Sequence, residues 1–83
     1  MNDSDRKLIE EVAVLNGFQV KGWIGDKLNY FDPINEHEGF GDWNPLENNA
    51  DAFSLMCNFG LFASNSNDET HIRKLILHRI IGI

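Results

Sequence analysis

The apolar residues of this chain change their spacing at Asn16-Gly17, and that change dictates the fold class. Before it, Leu8, Val12 and Leu15 recur at i, i+4 and i+7, with Ile9 and Ala13 widening the stripe. That is one face of a helix. After it, Phe18-Gln19-Val20-Lys21 alternates apolar and polar, the two-residue period of a half-buried strand. The spacing predicts a helix over 4–16. Asp3 or Ser4 is placed to cap it, Asp5 lies against the positive end of its dipole, and Gly17 closes it in the left-handed conformation.

The alternation continues to Phe31, interrupted by Gly25-Asp26, where glycine supplies the positive φ that a two-residue hairpin turn requires. Strands over 18–24 and 27–31 are therefore expected. Residues 32–47 hold both prolines and show no period. Within them Phe31-Asp32-Pro33-Ile34 and Trp43-Asn44-Pro45-Leu46 repeat one pattern: aromatic, Asx, proline, aliphatic. An Asx side chain bonds the backbone two residues on, and proline fixes φ, so each reads as a turn anchored at both ends by its apolar flanks.

A second helix over 48–58 follows, capped by Asn48 with Asp51 at its third position, presenting Ala52, Phe53, Met56, Cys57 and Phe59, and stopped by Gly60. Residues 61–63 suggest a short strand and 64–67 a polar loop. The last helix is expected over 68–81, capped by Asn67 or Asp68, with Ile72, Leu75, Ile76, Arg79, Ile80 and Ile83 on its core face. Arg73, Lys74 and Arg79 would meet the negative end of its dipole. Leu77 and Ile81 add a second apolar strip, which suits burial on two sides or a homodimer. The order is α-β-β-loop-α-(β)-α. An α+β fold results, with three helices packed on a small antiparallel β-hairpin or sheet in one domain over 1–83.

Charge narrows the function classes. The chain carries a net charge of −6, and residues 26–51 hold seven carboxylates against Lys27 alone, so that segment accounts for the whole excess. Such a field repels phosphate backbones and attracts basic surfaces, so direct nucleic-acid binding is not expected. Cys57 is the single cysteine, which rules out an internal disulfide and a cysteine-based zinc site and suits a reducing compartment. The polar, acidic start Met1-Asn2-Asp3-Ser4-Asp5 does not read as a signal peptide, and no apolar run reaches the roughly 18 residues a bilayer demands. A cytoplasmic, membrane-free protein is the expectation.

Catalytic constellations are weak. His71 and His78 are seven apart, about 10 Å along a helix, too far to share an ion, and His37 sits among glutamates. No metal and no cofactor are expected. Ser54 and Cys57 lack a nucleophile elbow or a partnered histidine and should face the core. Glu36 and Glu38 stand in a polar loop with little to shift their pKa values. Gly39-Phe40-Gly41 begins a phosphate loop but lacks its third glycine and lysine. The chain is not expected to be an enzyme.

The segment Trp43-Asn44-Pro45-Leu46-Glu47-Asn48-Asn49-Ala50-Asp51-Ala52 resembles a motif of small uncharacterised proteins from tailed bacteriophages and prophages, in which a Trp-Asn-Pro-Leu turn leads through acidic residues and Asp-Ala into an apolar helix. Glu69-Thr70-His71-Ile72-Arg73-Lys74-Leu75-Ile76 is similar to the helix that closes such proteins. The spacing after Gly60 is shorter than theirs. The resemblance implies a phage or prophage accessory protein in the cytoplasm of a bacterial host. As a class, short phage accessory proteins are often inhibitors of host defences, anti-CRISPR proteins among them. The expected activity is binding to a host macromolecule through an acidic surface, most concretely a host protein with a basic surface such as a nucleic-acid-binding defence complex. The contact surface would comprise Asp32, Glu36, Glu38, Phe40, Asp42, Trp43 and Glu47, with Phe40 as its anchor and Trp43 either a second anchor or, with Trp23 and Phe31, the favoured plug of the small core. The competing expectation is a phage structural, assembly or regulatory protein that homo-oligomerises through its C-terminal helix.

Overall fold

The computed structural model describes residues 2–61 and 70–82. Helix α1 spans Asp3–Leu15, strands β1, β2 and β3 span Gln19–Ile24, Lys27–Asp32 and His37–Phe40, and helices α2 and α3 span Asn49–Asn58 and Thr70–Ile81. Asn2 caps α1, its side chain accepting the Asp5 amide at 2.8 Å, so the helix starts just ahead of the expected Asp3 or Ser4 cap. Its end follows the glycine. Gly17 adopts φ 93°, its amide donates to the Val14 carbonyl, and the Phe18 amide reaches back to Ala13 at 2.9 Å. Helix α2 ends in the same way: Gly60 at φ 66° donates to Cys57, and Leu61 to Met56. These paired bonds satisfy carbonyls that have no partner inside the helix and turn an apolar residue back onto the core.

The sheet is antiparallel in the order β1-β2-β3. Ile24 pairs with Lys27 across Gly25-Asp26, with Gly25 at φ 62°, as the turn residues require. Strand β3 lies inside the segment expected to be a loop. Its period is invisible in the sequence because its inward position is Gly39, which pairs with Tyr30. The tyrosine ring occupies the space of the missing side chain, and a Cβ on Gly39 would fall 2.1 Å from a ring carbon. β1 carries a second departure. Val20 opposes Tyr30 and Gly22 opposes Asn29, so Lys21 is an extra residue in a bulge. The bulge brings Val20 and Trp23 to one face, where strict alternation would separate them.

The core lies between that face and the helices. Central strand β2 buries Leu28 and Tyr30, against Leu8, Ile9, Val12 and Ala13 of α1, Leu55 and Met56 of α2, and Ile76, Leu77 and Ile80 of α3. Several expected faces are corrected by this packing. Leu15, Phe53 and Leu75 are exposed, as are Ser54 and Cys57, while Leu77 is fully buried, the outcome expected of a helix covered on two sides. In α2 and α3 the buried stripe is turned by less than a quarter of a turn from the expected one, so that Ala52, Met56, Ile76 and Ile80 stay on it, because the apolar residues of both helices are dense enough to fit more than one stripe. The opposite sheet face is open and carries Ile24, Phe31 and Phe40, with Lys21 and Lys27 over the two phenyl rings at 5.8 and 5.5 Å.

Arg73 and Lys74 lie in the first half of α3, away from the C-terminal end expected for them. Arg73 is buried. Its Nε donates to the Leu46 carbonyl at 2.6 Å and its Nη1 to Asn49 Oδ1, which ties the 43–49 turn to α3. Lys74 pairs with Asp5 at 3.1 Å. The expected strand over 61–63, the loop over 64–67, the caps at Asn67 or Asp68, and Ile83 lie at or outside the limits of the described residues, and Leu61 itself is not in a strand.

Gly39→Ala should destabilise the protein by about 1–3 kcal/mol, because the added methyl drives Tyr30 from its site. A urea titration reads this as a lower midpoint at unchanged slope; an unaltered midpoint would contradict the packing described.

Candidate functional site

The two Asx-Pro turns form as their residues dictate. Asp32 Oδ1 accepts the Ile34 and Asn35 amides at 3.0 and 3.4 Å, while Oδ2 accepts the Asn35 side chain at 2.8 Å. Asn44 Oδ1 accepts the Leu46 amide at 3.1 Å. Their anchoring differs. Trp43 and Leu46 are buried at the second turn, but Ile34 at the first is 82% exposed.

Two of the expected contact residues are therefore structural. Asp32 is buried with its oxygens occupied by N–H donors, and it builds the turn. Trp43 is buried edge-on to Phe18 at 5.1 Å and is no surface anchor. The remaining five do not share one plane. Glu36 is exposed at the corner of the β2–β3 turn, where its φ of 52° is the only positive value among the described non-glycine residues. Glu38 and Phe40 lie on the open sheet face, Glu38 held 3.0 Å from Lys21 Nζ. Asp42 is turned away from them, 2.7 Å from His37 Nε2, and Glu47 is exposed before α2.

What the fold does assemble is a recess of about 270 Å³ between the first Asx turn and α2. Asp32 and Asp51 supply its carboxylates, and Asn16, Asn35, Ser54 and Asn58 its neutral polar groups. Phe18, Trp43 and Ile34 give it apolar walls. The Asn58 side chain donates to Asn16 Oδ1 at 3.2 Å and joins the two helix ends beside it. Asp51 is held from both sides: its amide donates to Asn48 Oδ1 at 3.1 Å, and its Oδ2 accepts the Asn44 amide at 2.9 Å. None of the described residues lining the recess is lysine, arginine or histidine.

The local field is negative. Burial raises the Asp51 pKa above the ordinary carboxylate value against the opposing Asn44 hydrogen bond, and the charge of Asp42 adds to the rise. Asp32 is lowered, first by the Asn35 side-chain hydrogen bond and then by the backbone amides, against an opposing effect of burial. Burial pushes Asp42 up, but hydrogen bonds from His37 and Tyr30 outweigh it and leave the group lowered. Tyr30 is raised well above its ordinary value by burial, by its hydrogen bond to Asp42, and by the charges of Asp42, Asp51 and Asp32.

Asp51, Asn16, Asn35, Ser54 and Asn58 were not legible as site residues. Their polar character signals caps and turns equally well, and only the meeting of the Asx turn with α2 groups them. Among the described residues no three His, Cys, Asp or Glu side chains are placed to hold a metal ion, and no helix is long and apolar enough to cross a membrane. No protein-family model, curated protein or solved structure matches the chain.

The shifts set the pH response. Tyr30 has a raised folded pKa, so its contribution is complete below the ordinary tyrosine value near 10 and is lost as the pH rises above it. Asp32 and Asp42 are lowered, so their contribution is present above the carboxylate range and lost as pH falls through their folded values. Tyr30→Phe should cost about 1 kcal/mol at neutral pH and flatten the alkaline loss of stability. Urea midpoints at pH 8 and pH 11 for both proteins check this, and equal alkaline losses would refute it.

Proposed function

We propose that the protein is a non-enzymatic binding module that takes a lysine or arginine side chain of a partner protein into the acid-lined recess. The observation that carries this reading is the lining itself: the Asp51 carboxylate beside the turn-building Asp32, amide and hydroxyl acceptors, and apolar walls, with no cation among the described lining residues. A basic head group would find acceptors there, and its methylene stem would lie along Phe18, Trp43 and Ile34. Ile34, 82% exposed at the rim, gains burial when a partner surface closes over it. Glu36 stands two residues away and extends the negative field outward.

The resemblance to small phage and prophage proteins supports a partner in a bacterial host. Proteins that handle nucleic acids present rows of lysine and arginine, so inhibition of a nucleic-acid-handling defence complex is the most concrete form of the proposal. The acids that act are Asp51 and Glu36, with Ile34 as the apolar anchor in place of Trp43. Glu38 and Asp42 already face Lys21 and His37 and contribute less.

Binding a cation favours ionised Asp51, so affinity should rise as pH increases through its raised pKa. Titration with N-acetyl-arginine amide, followed by backbone amide shifts, should give saturable changes at Asn16, Asn35, Ser54 and Asn58. A single side chain warrants a dissociation constant on the order of 1 mM. Asp51→Asn, which keeps an acceptor for the Asn44 amide, should abolish the changes. Shifts absent from the wild type, or retained in the variant, would end the proposal.

A further inference from the structure

A second concave surface lies at the end of α1. Val14 and Leu15, in its last turn, are 61% and 52% exposed. With Val20 of β1 and Ile81 of α3 they floor an apolar groove of about 560 Å³, and Glu10 and Glu11 stand on its wall. The groove and the recess have no lining residue in common.

Among its described lining residues the charged side chains, Glu10 and Glu11, are both acidic. The last turn of α1 contains no basic residue, so the negative end of the helix dipole is uncompensated beside the two glutamates. An occupant must cover four aliphatic side chains and bring positive charge to the rim. We infer that this groove docks an amphipathic segment of a partner, aliphatic on one face and carrying lysine or arginine along its edge.

A second copy of the chain fits less well. A two-fold contact through the groove brings both copies' Glu10 and Glu11 into one interface, in a chain whose net charge is −6. Charge complementarity selects a basic partner instead, and an amphipathic helix in an apolar groove is a common way of meeting one.

Fluorescence anisotropy with a labelled leucine–lysine amphipathic helical peptide, and with its leucine–glutamate counterpart, tests the assignment. The lysine peptide should bind saturably and the glutamate peptide should not. Leu15→Ser, at an exposed position, should weaken binding roughly tenfold with the thermal melt preserved, and Glu10→Gln with Glu11→Gln should weaken it several-fold at low salt. Asp51→Asn should leave this binding unchanged, which separates the groove from the recess: either site can fail its own titration while the other stands. Equal binding of both peptides, or a Leu15→Ser variant that binds like the wild type, overturns the inference. So does a wild-type dimer in sedimentation that Leu15→Ser renders monomeric, since a second copy would then be the occupant.

Discussion

Tyr30 is the point on which the sheet, the aromatic core and the acidic connector all depend. Its ring fills the space above Gly39 and so seats β3 on β2. It stacks on Phe18 at 4.7 Å with an interplanar angle of 19°, and lies 6.2 Å from the centroid of Trp43. Its hydroxyl meets Asp42, and burial first, then the Asp42 hydrogen bond and the surrounding carboxylates, hold it neutral. One side chain thus decides the edge of the sheet, fixes where the connector turns back, and ties the negative groups to the core.

The connector is more a structural device than a charged loop. Asp32 closes one turn, Asn44 another, and Asp51 links the second turn to α2 through the Asn44 amide. Arg73 then fastens the same stretch to α3 through Leu46 and Asn49. An acid whose oxygens accept amide hydrogens keeps its charge, but those oxygens are taken and offer a partner fewer acceptors at contact distance. The excess charge of the chain is real, yet direct contact with a partner falls to the carboxylates left facing solvent, Glu36 and Glu47 among them. This is why a concave site lined by Asp51 beside polar acceptors and apolar walls supports a binding reading better than a broad acidic face does.

The recess and the α1 groove differ in what they ask of a partner. The recess is lined by carboxylates and amides, and on the proposed reading it holds one charged head group against ionised Asp51. The groove is aliphatic and open, and the partner inferred for it presents a face of several side chains. Both favour positive charge, so one basic partner with an amphipathic edge can satisfy both, and the two contacts then add through effective concentration.

Much of the fold was readable from residue order. The helix-to-strand change at Gly17, the hairpin at Gly25-Asp26, the Asn48 cap, the stop at Gly60 and both Asx turns follow from local chemistry, because each depends on backbone groups only a few residues away. Strand β3 was not readable, since its inward residue is a glycine covered by a tyrosine nine residues earlier. Nor were the buried faces of α2 and α3, where several stripes are equally apolar and only the neighbouring helices choose among them. The site follows the same division. Sequence determined that negative charge is concentrated in 26–51, whereas tertiary structure decided which carboxylates are consumed by turns and which line a recess. Charge adds along a chain regardless of shape, but solvation and partnership depend on what lies across space.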